Sequence, residues 1–192
     1  IGVATYSVGV AYNNRKASLQ FIQQEMNNIT ALSNETCQLG IQSRNMVLYI
    51  AKKDSPQPIR LMSSVGKQLP LYCTGLGRAL LAYKSEEEIR NLFPEVLTAY
   101  TPHTIATIND LLKELELTRQ RGYAVEHEET NLMVNCIAVS LDYNNAPIAA
   151  LSISIPTFRI SESKEKEAVQ ILWEAKQRIE THFKMYGVDF GN

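Results

Sequence analysis

The chain has 192 residues, 45% of them hydrophobic and 20% charged, the composition of an ordinary globular protein and too short for more than one sizeable domain or two small ones. Nineteen Lys and Arg against 20 Asp and Glu leave a formal charge of -1, so no global positive field is available to hold a polyanion, and nucleic acid is not the expected direct ligand. No apolar run approaches the roughly 20 residues that cross a bilayer. The chain opens on Ile1 without a secretory leader pattern, and its start reads as that of a piece of a longer, cytoplasmic protein. Cys37, Cys73 and Cys136 stand far apart without a CxxC pair, which suits a reducing compartment better than a disulfide scaffold.

Residues 1–15 read as a connector or entry strand. From Lys16 to Ser33, Leu19, Ile22, Met26, Ile29 and Leu32 recur at helical spacing with glutamines and asparagines between them. Cys37, Leu39 and Ile41 then alternate with Gln38, Gly40 and Gln42, and Met46–Ala51 is β-prone, the two joined through Ser43–Asn45 as a hairpin. Pro56 and Pro58 prescribe a turn, and a third strand is expected at Ile59–Ser64, closed by Gly66.

In the block LPLYCTGLGRALLAY, Thr74 is placed to cap a helix whose first turn contains Gly75 and Gly77 and whose buried side is Leu76, Leu80 and Leu81. Two glycines there cost roughly 1 kcal/mol each against alanine, which points to close approach by something, either the sheet or a ligand. Ser85 and Glu88 form a capping box for a short helix ending before Pro94. Asn109 and Asp110 start another, with Leu112, Leu115 and Thr118 on one face and Gly122 as its stop. Tyr123–Glu128, Val134–Leu141 and Ile148–Ile155 read as strands, the last two around the turn residues Asp142–Pro147. Ser163 is expected to cap a long helix carrying Val169, Leu172, Trp173, Lys176 and Ile179, with Trp173 assigned to core packing. About six strands and four or five helices in this order describe an α+β domain with one mostly antiparallel sheet and helices outside it.

Enzyme templates fail on spacing: GxSxG, HExxH and GxxxxGK[ST] are absent, and the GxG of Gly75–Gly77 lacks the rest of a dinucleotide fingerprint. Three chemical candidates remain. The free N–H groups at Thr74–Gly77 suit a small carboxylate or phosphate. In Glu126-His127-Glu128-Glu129, alternation sends Glu126 and Glu128 to one face and His127 and Glu129 to the other, most such runs being solvated edges. Cys136, Ser152 and Ser154 are small polar residues on two otherwise apolar strands, and together with the glycine turn they could line one pocket. A Cys136 nucleophile needs a nearby base such as His127, and a zinc ion shared by Cys73, Cys136 and His127 or His103 has no short two-ligand spacing to support it; neither a metal nor a cofactor is assigned.

The connected pattern says more. The blocks SPQPIRLMSSVGKQLPLYCTGLGRALLA, then T-x-x-T-I with LLKELELTRQRGYAVEHEE, then NCIAVSLDYNNAPIAALSISIPTFRI, in that order and spacing, resemble the C-terminal effector-binding domain of IclR-family bacterial transcriptional regulators. The resemblance implies a GAF- or profilin-like fold, a curved, mainly antiparallel sheet of about six strands flanked by helices, whose concave side holds a small ligand. It implies an effector-binding domain at 16–192 and a winged helix-turn-helix preceding residues 1–15 that alone would meet DNA. Carried over, the family's pocket falls on Thr74, Gly75, Leu76, Glu126, Val134, Cys136, Ser152 and Ser154. The implied effector is a small organic acid, such as a keto or sugar acid, and the implied assembly a homo-dimer or tetramer. Family members often carry Asp where this chain has Glu126. The competing readings are a ligand-free oligomerisation module and a small-molecule enzyme using Cys136 or Glu126.

Overall fold

A computed structural model of the chain describes residues 2, 17–58 and 64–188. Its frame is a six-stranded sheet, every pair antiparallel, curled into a half-barrel with strand order β3-β2-β1-β6-β5-β4. The strands are β1 (Thr36–Ser43), β2 (Met46–Lys53), β3 (Gln68–Pro70), β4 (Ala124–His127), β5 (Val134–Tyr143) and β6 (Ala146–Pro156). The β5–β6 hairpin turns through Asn144 and Asn145, both at positive φ (52° and 62°), the conformation a two-residue turn between twisted strands requires and asparagine tolerates.

The five helices among the described residues are α1 (Ala17–Ser33), α2 (Gly75–Leu81), α3 (Glu86–Leu92), α4 (Ile108–Arg121) and α5 (Glu162–Tyr186), with a 3-10 turn at Leu71–Cys73 leading into α2. Because strand side chains alternate, the central strands feed two cores. Leu39, Ile137, Val139, Leu151 and Ile153 pack with Ile22, Met26 and Ile29 of α1 and with Leu172, Ile179 and Phe183 of α5. On the other face, Val47, Tyr49, Ala138 and Ala150 meet Leu76 and Leu80 of α2, Ile89 of α3 and Leu111 and Leu115 of α4.

Local chemistry ends the helices where expected at several points: Thr74 accepts from the Gly77 N–H, Ser85 and Glu88 form a reciprocal capping box, and Gly122 closes α4 at φ 78°. Other expectations are corrected. The strand expected at Ile59–Ser64 falls largely on residues 59–63, outside the described ones, and the third strand of the sheet is Gln68–Pro70, inside the block read as helix approach. The side chain that caps α4 belongs to Thr107, so the helix begins at Ile108, before Asn109, and its buried face is Ile108, Leu111, Leu115 and Thr118 with Leu112 only half-buried. Ser161, not Ser163, caps α5, accepting from the Lys164 N–H. Trp173 is 42% exposed rather than core, and Leu32 of α1 points outward. β4 stops at His127, short of Glu128.

The seat of α2 is a tight joint. A Cβ on Gly77 would lie 2.1 Å from the Leu71 carbonyl oxygen and one on Gly75 3.3 Å from the Cys136 Cβ. Gly77→Ala is therefore expected to lose at least about 3 kcal/mol in urea unfolding, because the blocking atom is backbone that cannot swing aside. A loss below about 1 kcal/mol would show that α2 does not sit on that turn.

Candidate functional site

Two rows of residues cross the sheet toward α2. Register pairs Glu126 with Cys136, Cys136 with Ser154 and Ser154 with Thr36 across β4, β5, β6 and β1; the neighbouring row is Ala124, Ala138, Ser152 and Gln38. Hydrogen bonds join them: Cys136 Sγ lies 3.2 Å from Ser154 Oγ, and Ser154 and Ser152 donate to Gln38 Oε1 at 3.0 and 3.4 Å. Polar side chains in the middle of a sheet are costly unless paired, and here they pair with one another.

Glu126 is 1% exposed, and its Oε1 accepts from the backbone N–H groups of Glu129 at 2.5 Å and Thr130 at 3.3 Å. Burial pushes its carboxyl up to about 7 despite those donors, so near neutral pH it is poised between acid and carboxylate. Burial, reinforced by the neighbouring Glu126 charge, holds the Cys136 thiol well above its ordinary range, and burial pushes Cys73 up to about 12. Neither is a thiolate at physiological pH, and His127 is exposed on the other side of β4 with Nδ1 3.2 Å from Asn135 Oδ1, so His127 does not serve Cys136 as a base. No group of three or more His, Cys, Asp or Glu side chains among the described residues is placed to hold a metal ion.

The acidic run behaves differently from simple alternation. Glu128 adopts φ 56°, which turns the chain out of the strand, and Glu129 consequently points inward beside Glu126. Glu129 Oε2 meets Arg78 Nη2 of α2 at 2.5 Å and accepts the Ile105 N–H at 3.1 Å, while its carbonyl accepts from Thr104 Oγ1. The 128–133 loop is thereby fastened across the open end of the sheet.

Thr74, Gly75, Leu76, Glu126, Val134, Cys136 and Ser152 converge on a cavity between α2, this loop and the sheet; Ser154 stands behind it, bonded to Cys136 and Gln38. Sequence reasoning did not single out Gln38, Tyr49, Lys67, Leu69, Thr130 and Asn131, which complete the wall. Gln38 alternates with Cys37 and Leu39 and so resembles a solvent-facing residue; only its place on a strand covered on both faces makes it interior. The cavity encloses about 30 Å³, close to the space of a single water, so an organic ligand requires the Thr130–Asn131 wall or the exposed Lys67 to move. The N–H groups of Gly75 and Leu76 begin a helix of only seven residues and act as local donors more than through a macrodipole.

The chain belongs to the family described as "Bacterial transcriptional regulator IclR C-terminal", which matches residues 12–181. It is 38% identical over 157 residues to the HTH-type transcriptional regulator KdgR of Dickeya chrysanthemi, covering 81% of this chain and 52% of that one, so the chain spans about half the length of this relative. The crystal structure of the C-terminal domain of KdgR from E. coli is similar with TM-score 0.77 and 32% identity, over 85% of this chain and 96% of that domain. An IclR homologue from Microbacterium hydrocarbonoxydans, crystallised with 4-hydroxybenzoate, shares the fold with TM-score 0.76 and 24% identity over 88% of this chain and 70% of its own.

The raised carboxyl gives a pH signature. Between its ordinary value of 4.5 and about 7 the folded chain holds a proton that the unfolded chain releases, so the stability tied to Glu126 is full below 4.5 and is lost as pH rises through 7. The stability of the parent relative to Glu126→Gln is expected to fall between pH 5 and pH 8, by up to about 1.4 kcal/mol per pH unit within that window, in urea titrations. A difference that stays constant would show the carboxyl to be charged throughout.

Proposed function

We propose that this chain is the effector-binding domain of a transcriptional regulator and that the cavity under α2 takes a small organic acid, such as a keto or sugar acid. The observation that carries the reading is the row Glu126, Cys136 and Ser154 with Gln38 of the neighbouring row hydrogen-bonded to it, a polar stripe buried beneath backbone donors in an otherwise apolar sheet. The Gly75 and Leu76 N–H groups would hold the acid's carboxylate, Ser152 and Ser154 would exchange their bonds to Gln38 for bonds to the ligand, and Glu126 would accept from a hydroxyl or, protonated, donate to the acid. The 4-hydroxybenzoate complex of the Microbacterium homologue, itself a hydroxylated acid, agrees with this class.

In the same reading, residues 1–15 lead from a winged helix-turn-helix that meets DNA, the protein works in the cytoplasm as a homo-dimer or tetramer, and neither metal, cofactor nor membrane takes part. No helix among the described residues is long and apolar enough to cross a membrane. An effector that prefers one arrangement of the subunits by roughly 1–3 kcal/mol would change operator affinity about 5–150-fold.

A thermal-shift panel of keto, aldonic, uronic and aromatic acids tests the proposal on the 192-residue chain. One chemical class is expected to raise the melting temperature by binding the folded state, with the shift abolished in Ser152→Ala and in Gly75→Val. Shifts that survive both substitutions would place the ligand elsewhere. No shift with any acid, with both variants as stable as the parent, would favour the ligand-free oligomerisation module.

A further inference from the structure

At the opposite end of α2 lies a cavity of about 310 Å³, ten times the volume of the pocket at the helix start, between α2, the end of α4 and β5. We propose that this cavity is a second small-molecule site and that it takes a planar aromatic carboxylate. The volume falls at the lower end of the range of real ligand sites, and the lining has their character: a mostly apolar hollow with a few convergent polar groups. The methyls of Ala79 and Ala82 leave room that larger side chains would fill, Tyr83 and Tyr123 supply ring surfaces, and Ser140 and Arg119 supply the polar groups.

The charges set the ligand's orientation. Toward Ser140 the cavity is already committed: the Tyr83 hydroxyl donates to Asp142 at 2.6 Å and lies 3.0 Å from Ser140 Oγ, and Lys176 bridges Asp142 and Glu180. A carboxylate placed there would face Asp142. Arg119 offers the alternative. Its Nε and Nη2 donate to the Ala82 and Lys84 carbonyls at 2.7 and 3.0 Å, which fixes the guanidinium plane, and Nη1 meets the exposed Glu116 at 2.9 Å. A guanidinium carries five N–H bonds, so donors remain for a ligand, held at little entropic cost. The ring therefore enters between the tyrosines and the carboxylate stays at Arg119.

Trp173 borders the site: a Cβ on Gly122, which lines the cavity, would touch its ring at 3.3 Å. It is the chain's one tryptophan and is 42% exposed, so its fluorescence reports occupancy. The site does not depend on the proposed effector reading, although a ligand in it would press on the same helix whose start lines the first pocket.

The test is a fluorescence titration of the 192-residue chain with benzoate, and with benzamide as its uncharged counterpart, in the parent, Ser152→Ala, Ala82→Leu and Arg119→Gln, with folding checked by circular dichroism. Benzoate is expected to give a saturable change that Ser152→Ala retains and that Ala82→Leu and Arg119→Gln weaken about tenfold or more, with benzamide weaker than benzoate by a similar factor. Should Ala82→Leu fail to fold, Arg119→Gln and benzamide decide the matter. Absence of a saturable change overturns the proposal, as does a change that Ser152→Ala abolishes while Ala82→Leu leaves it intact, or one that benzamide matches.

Discussion

A buried guanidinium organises this domain. Arg78 is 2% exposed and spends its donors on the Tyr72 and Val125 carbonyls, each at 2.9 Å, and on Glu129 at 2.5 Å. A charge removed from water is tolerated only when its donors are met and a counter-charge stands beside it, so these contacts fix four pieces of chain relative to one another: the turn before α2, α2 itself, β4 and the 128–133 loop. Glu129 extends the joint by taking the Ile105 N–H and the Thr104 hydroxyl from the segment that precedes α4. Gly77 against the Leu71 carbonyl and Gly75 against Cys136 are consequences of how closely this joint draws α2 onto the sheet.

The chemistry of the pocket follows from that joint. Because Glu129 is drawn to Arg78, its own N–H and that of Thr130 are presented to Glu126, and the Glu126 carboxyl is buried between the loop and the polar row of the sheet. One carboxyl thus touches the cavity on one side and the closing loop on the other. In the proposed reading, a ligand that recruits Glu126 would act on the carboxyl whose Oε1 holds the loop, which would link occupancy to a change in the protein's surface. Leu132 and Met133, exposed on that loop, are where such a change would first be felt.

Much of this was legible in the residues. Helical spacing marked α1, the Ser85 and Glu88 pair marked α3, Gly122 marked the end of α4, and the Asn144–Asn145 turn marked the last hairpin, because each is a local signal whose physics is complete within a few residues. The resemblance to the IclR C-terminal domain then brought together distant candidates that the geometry seats around one cavity, and Ser154 directly behind it. What escaped depends on long-range packing. Arg78 drew no reading of its own from the sequence, since nothing nearby in sequence reveals a partner 51 residues away. Glu129 was placed on the wrong face because alternation cannot foresee the positive φ of Glu128. Gln38 passed for a surface residue, and β3 was too short, at three residues, to show a period.

The dependence of the fold on Arg78 is open to a double-mutant cycle in urea unfolding with Arg78→Met, Glu129→Leu and the two combined. Each single substitution should cost about 3–5 kcal/mol by stranding a buried charge, and the pair should cost less than the sum by about 2 kcal/mol or more. Additive losses with a coupling near zero would mean that the two charges do not depend on one another, and the joint described here would not be what holds α2 over the pocket.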